Sequence, residues 1–223
     1  GYNRIPLMLQ AFADLETPLS LYLKLTQSAN TAYTNNYKNN SALGNQYAGY
    51  NSFLLESVVG GERFGRYSFI GLPARTLLRA SGFGDAAITE VVTDGVVVET
   101  SRINPLDFIA QYQQRFKVAL QTGMPRFCGG LAGYFGYDAV RYIERKLEKS
   151  CPPDELQCPD ILLLQCEELA VIDNLSGKLS LIVYADPALP DAYASAKTRL
   201  HALKEMLKAP VEAPEIKPSD KQA

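Results

Sequence analysis

The sequence predicts an α+β fold, with mostly antiparallel, hairpin-connected strands and three to four helices packed on them. Two patterns and the composition point there. Apolar runs of strand length repeatedly flank turn signals, at Gly60-Gly61, at Asp94-Gly95 and at Asp173–Lys178. Behind Thr17-Pro18 and Asn104-Pro105, apolar residues recur instead at helical spacing. The 223 residues are 47% hydrophobic and 21% charged, enough to bury a core and ordinary for a soluble globular chain of one large domain or one and a half.

The first helix takes Thr17 as N-cap and Pro18 at the first helical position, and Leu21, Tyr22 and Leu25 form its apolar stripe. Residues 26–52 break the composition: seven Asn and four Tyr with almost no aliphatic residue read as a long polar loop. Leu54 to Gly71 reads as strand, turn, strand. Ile88–Val92 and Val96–Thr100 form an edge pair through Asp94-Gly95. Asn104-Pro105 starts a helix with Phe108, Ile109, Tyr112 and Phe116 on one face, a core stripe. The run Gly129–Asp138 lacks the GK[ST] of a phosphate loop, and its glycines predict close backbone approach with Tyr134 and Tyr137 filling the space. Asp138, Arg141 and Glu144 then open a short solvated helix. Residues 161–184 predict one hairpin whose nearly continuous apolar runs are covered on both faces. A last helix spans Asp191–Lys208, with Leu200, Leu203 and Leu207 inward, and the Pro-rich tail 209–223 reads as a linker.

Chemistry-bearing residues concentrate in the 54–71 segment. Glu56, Ser57, Glu62, Arg63, Arg66 and Ser68 place two carboxylates, two guanidinium groups and two hydroxyls within thirteen residues. Such a set can hold both ends of a zwitterion, guanidinium on carboxylate and Glu or Ser on ammonium. On chemistry alone it also fits a solvated hairpin with surface ion pairs. No other segment suggests catalysis. Glu167 and Glu168 are adjacent, so in a strand they face opposite ways. His201 lies beside the last helix's apolar stripe without a nucleophile motif. The spacings of Cys128, Cys151, Cys158 and Cys166 match no common zinc pattern and suggest free thiols, although a Cys151–Cys158 bridge is geometrically open. A net charge of −2 gives no footprint for nucleic acid or an anionic membrane, and no apolar run approaches a membrane span. The expected location is the cytoplasm.

Four stretches in order along the chain, IPLMLQAFADLETPLSLYLKL (5–25), LLES with GGERFGRYSFIG (54–71), CGGLAGYFGYDAVRYIER (128–145) and PDILLLQCEELAVIDNLSGKLSLIVYADP (159–187), resemble the N-terminal part of anthranilate synthase component I, a chorismate-utilising family. The resemblance implies an opening strand before the first helix and makes 26–52 an insertion. It implies residues 1–208 as the regulatory N-terminal domain, with 209–223 leading to a C-terminal catalytic half that is absent here. That half would hold Mg²⁺ and chorismate, so this chain has no catalytic residues and is expected to be inactive alone.

By the same resemblance, the full enzyme is a lyase of tryptophan biosynthesis. It makes anthranilate and pyruvate from chorismate and ammonia, the ammonia supplied by a glutamine amidotransferase subunit. The region present would bind L-tryptophan for feedback inhibition through Glu56, Ser57, Pro18 and Arg66. Without its other half, it is expected to expose apolar surface and self-associate. Two alternatives stand beside this reading: the aminodeoxychorismate synthase component of folate synthesis, and a stand-alone amino-acid-binding module.

Overall fold

The computed structural model describes residues 1–26, 51–56, 65–150 and 156–211. The fold is α+β, built on two five-stranded antiparallel sheets. In chain order the elements are β1 (Ile5–Phe12), α1 (residues 18–26), β2 (Phe53–Leu55), β3 (Tyr67–Gly71), β4 (Thr76–Ser81), β5 (Ile88–Thr93), β6 (Val96–Ser101), α2 (Pro105–Gln114), β7 (Gly130–Phe135), β8 (Ile161–Cys166), β9 (Glu168–Asp173), β10 (Lys178–Ala185) and α3 (Ala192–Met206). The first sheet runs β1-β10-β9-β3-β2 and the second β6-β5-β4-β8-β7.

Alternation along the central strands explains the layering. In β9 and β10, Ala170, Ile172, Leu179, Leu181 and Val183 face one way and join Leu21 and Leu25 of α1 and Ala196, Leu200 and Leu203 of α3 in one core. The opposite face, with Leu169, Val171 and Ile182, meets Cys128, Cys166, Phe69 and Phe127 in a second core. Both faces are therefore covered, as continuous apolar runs require. The second sheet buries Leu78, Ala80, Val91, Ile161 and Leu163 against Phe108, Ile109 and Tyr112 of α2. That helix begins as its sequence dictates, with the Leu106 amide donating to Asn104 Oδ1 at 2.9 Å and Pro105 at its first position.

Three expectations are corrected. Residues 161–184 are not one hairpin: β8 belongs to the second sheet and β9 to the first, and only β9–β10 form a hairpin. An apolar run does not say which sheet it joins, because burial on both faces looks the same in either. Tyr134 and Tyr137 do not fill a gap, since both are exposed. The close approach is made by Gly133, where a Cβ would strike the Leu162 carbonyl of the neighbouring strand. Arg141 is not solvated: its guanidinium donates to Asp138 at 2.8 Å and to the Leu147 carbonyl, and stacks over Phe83.

One buried group is unsatisfied among the described residues. Thr89, near the start of β5, is fully buried and its Oγ1 has no hydrogen-bond partner. Thr89→Val keeps the β-branched shape and removes the orphan, so it should raise unfolding stability by roughly 1 kcal/mol in urea titration. Gly133→Ala should lower it by roughly 1–3 kcal/mol by the same measurement, since the strand has no room for a methyl group there. Equal midpoints for wild type and Gly133→Ala would refute the close-packing account.

Candidate functional site

Register carries the candidate residues to one end of the first sheet. Phe12 pairs with Lys178, and Lys178 with Asp173, so the end of β1 lies beside the β9–β10 turn. Tyr67 also pairs with Asp173, which puts Arg66 at the same end. Leu55 pairs with Phe69, so β2 points toward that end and delivers Glu56 there. Pro18 follows from β1 through a short turn. Three of the four sequence-predicted residues, Pro18, Glu56 and Arg66, thus lie along one rim of the first sheet, with Pro18 following β1 at one edge and Glu56 following β2 at the other. Ser57 lies outside the described residues, as do Glu62 and Arg63 of the same polar set.

Local bonding fixes each member differently. Pro18 opens α1 inside a reciprocal cap: the Ser20 amide donates to Thr17 Oγ1 at 3.0 Å and the Thr17 amide to Ser20 Oγ at 2.9 Å. Ser20 Oγ also donates to Glu16 at 2.6 Å, and Lys24 binds Glu16 and the Leu207 carbonyl, tying α1 to the end of α3. Burial pushes the Glu16 carboxyl up, but its bonds to Lys24 and Ser20 win and leave it lowered. Tyr22 Oη shares a 2.9 Å hydrogen bond with Ser52 Oγ, which anchors α1 beside the start of β2.

Arg66 is committed within the protein. Its Nη2 and Nε donate to Asp173 at 2.8 and 3.2 Å, and its guanidinium lies 4.9 Å from the Tyr67 ring centre. A ligand carboxylate would have to compete with Asp173 for this fork. Ser68, from the same polar set, is buried and accepts from Asn174 Nδ2 at 3.1 Å. Sequence reasoning missed the β9–β10 turn as the organiser of this rim. Its Asn174 amide donates to the Arg66 carbonyl at 2.7 Å, and its Gly177 carbonyl accepts from Ala13 at 2.8 Å. Gly177 sits at φ +63° against Asp14, where a Cβ would collide with the carboxylate. The Asx-rich turn was the available signal.

The rim is apolar where it meets solvent: Leu15 is 100% exposed, Phe12 78% and Leu175 72%, with Leu19 and Leu55 about half exposed. Exposed large apolar side chains concentrated at one end of a sheet suit a binding surface or an interface. Among the described residues no three His, Cys, Asp or Glu side chains converge as a metal ion requires. No described helix is long and apolar enough to cross a membrane.

Comparison with known proteins agrees with the sequence resemblance. No protein-family model matches the chain. It is 49% identical over 211 residues to anthranilate synthase component 1 of Neisseria meningitidis serogroup B, covering 93% of this chain and 38% of that protein. The chain is homologous to a part of anthranilate synthase component 1. The Pseudomonas putida protein of that name is 45% identical over 212 residues, covering 95% of this chain, and that of Aquifex aeolicus is 33% identical over 210 residues, covering 93%. The chain spans about 38% of the length of the first of these relatives. The crystal structure of anthranilate synthase component I from Streptococcus pneumoniae superposes with a TM-score of 0.50 over 69% of this chain and 32% of its own, at 21% identity, which supports the fold.

The pH response of the rim follows from Asp173. The Arg66 guanidinium holds its carboxyl below the ordinary carboxylate range, against a smaller upward push from desolvation, and the Ser176 hydroxyl and Leu175 amide act with Arg66. A lowered folded-state pKa stabilises above the unfolded value, near ~4, and that stabilisation disappears as pH falls through the folded value. Asp173→Asn should therefore lower the thermal midpoint at pH 7, with the gap from wild type closing progressively as pH falls below about 4. A gap that stays constant as the pH falls would rule out the ion pair as its cause.

Proposed function

We propose that this chain is the tryptophan-sensing region of an anthranilate synthase, corresponding to the N-terminal part of component I. The observation that carries the reading is that register places Pro18 and Glu56 along the same end of the first sheet, in a chain whose relatives carry that enzyme name. In this reading an indole ring packs on the Pro18 face and the exposed leucines, while Glu56 and Ser57 accept from the ammonium group. Arg66 acts mainly as support, because its fork is held by Asp173. The full protein converts chorismate, with ammonia from a glutamine amidotransferase subunit, into anthranilate and pyruvate. The Mg²⁺ and chorismate ligands lie in the longer portion of the relatives that this chain does not span, and the protein works in the cytoplasm. The chain alone is inactive.

Inhibition is then a coupling free energy of about 1–3 kcal/mol between the rim and a distant catalytic centre, transmitted through the packing of the first sheet.

Two measurements test this. The chain has no tryptophan of its own, so free L-tryptophan can be excited at its red edge and titrated with protein. A saturable rise in anisotropy with a blue-shifted emission is expected, with phenylalanine competing poorly. In the full-length enzyme, Ser57→Arg should raise the tryptophan concentration for half-inhibition by at least about tenfold, roughly 1.4 kcal/mol, while kcat stays near wild type. Unchanged inhibition in that variant would remove Ser57 from the site.

A further inference from the structure

The opposite end of the first sheet carries a concave site. Where the chain leaves β8 for β9 there is a cleft of about 320 Å³, bounded by the start of β1, the end of α2, the loop before β7 and the end of β10. This lies within the range of small-molecule sites, roughly 300–1,000 Å³. Its walls are largely apolar, with Phe116, Val118, Leu120, Leu131 and the Tyr184 ring as the main surfaces.

The charge balance of the walls selects the ligand. Arg4 is consumed internally: it donates to Asp186 at 2.9 Å, lies 3.4 Å from Glu167 and stacks over Phe116 at 5.2 Å. The Gln165 amide is held between the Tyr112 hydroxyl, at 2.6 Å, and Glu167, at 2.8 Å. The Tyr184 hydroxyl donates to Cys128 Sγ at 3.7 Å. Burial raises the Cys166 thiol to about 12 and pushes the Tyr184 phenol up as well, so both are neutral at physiological pH. Arg126 is different: it lines the cleft, is exposed, and makes no ion pair among the described residues. Beside it, Gly129 lies so close to the Tyr184 ring that a Cβ would collide. Gly130, at φ +113°, faces open space with nothing within 4 Å of a would-be Cβ. The wall there is bare backbone that a ligand can approach closely.

We infer that this cleft binds a small monocarboxylate with an apolar ring, the ring against Phe116, Val118 and Tyr184 and the carboxylate on Arg126. Arg126 in largely apolar walls matches one negative charge and offers little to a multiply charged phosphate. The site is separate from the rim of Pro18 and Glu56 and does not rest on the tryptophan reading.

The test is calorimetric titration of the full-length protein with benzoate, alongside inorganic phosphate and benzylamine. Saturable one-to-one binding of benzoate alone is expected. Arg126→Gln should weaken it about tenfold, and Val118→Trp, which fills the cleft, should abolish it. Both variants should keep the wild-type thermal midpoint. If Val118→Trp does not fold, the Arg126→Gln comparison decides alone. Saturating L-tryptophan should leave benzoate affinity unchanged, which separates this site from the rim. No saturable binding, the result if the rest of the polypeptide fills the cleft, overturns the proposal. So does benzoate binding that Arg126→Gln leaves intact, which would place it elsewhere in the protein.

Discussion

One stretch of extended chain, Ile161 to Asp173, belongs to both sheets, and the architecture depends on its passage between them. β8 ends at Cys166 and β9 begins at Glu168, so a single residue, Glu167, separates strands of different sheets. The crossing is pinned from several directions. The Tyr184 amide donates to the Glu167 carbonyl at 2.9 Å and the Leu72 amide to the Glu168 carbonyl at 3.1 Å. The Glu168 carboxylate receives a bidentate Arg199 from α3, and Glu167 faces Arg4. Ile161 and Leu169, on the two sides of the crossing, are both completely buried. Because the cores on either side share this strand, neither sheet can shift without straining the other.

That constraint produces two unlike ends of the first sheet. At the end nearer the crossing, the strands part toward different sheets and leave a cleft lined by Gln165, Cys166 and Glu167. At the far end the β9–β10 turn gathers the chain instead: Asn174 bonds the Arg66 carbonyl, Gly177 bonds Ala13, and Asp173 takes the Arg66 fork. The rim so formed is tied together through its backbone and carries exposed apolar side chains. A regulatory site needs that combination, since a ligand can bias a distant centre only through elements that do not relax locally.

Much of this was legible in the residues. Capping chemistry placed α1 at Thr17-Pro18 and α2 at Asn104-Pro105, because those side chains satisfy helix-end amides wherever the helix packs. Asp94-Gly95 fixed the β5–β6 turn, with Asp94 at φ 52° and Gly95 at φ 80°. Of the candidate site, Glu56 was proposed from the polar 54–71 set and from resemblance, Pro18 from resemblance alone, and their placement at one end of the sheet was not visible. Arg66 illustrates the limit: its residue type suggested a ligand clamp, whereas the fold gives it Asp173, 107 residues away. Arg141 repeats the lesson, with a charge that sequence alone assigned to solvent held among Asp138, Leu147 and Ser150.

The sequence by itself determined α1 and α2 with their caps, the β5–β6 and β9–β10 turns and the apolar stripes of the helices, since periodicity, proline and glycine act over a few residues. Tertiary structure alone decided that Ile161–Asp173 divides between two sheets, that Pro18, Glu56 and Arg66 lie along one rim, and that a cleft lined by Arg126 opens at the opposite end. Those outcomes depend on strand order and register, and a buried apolar strand carries the same pattern whichever neighbours it pairs with.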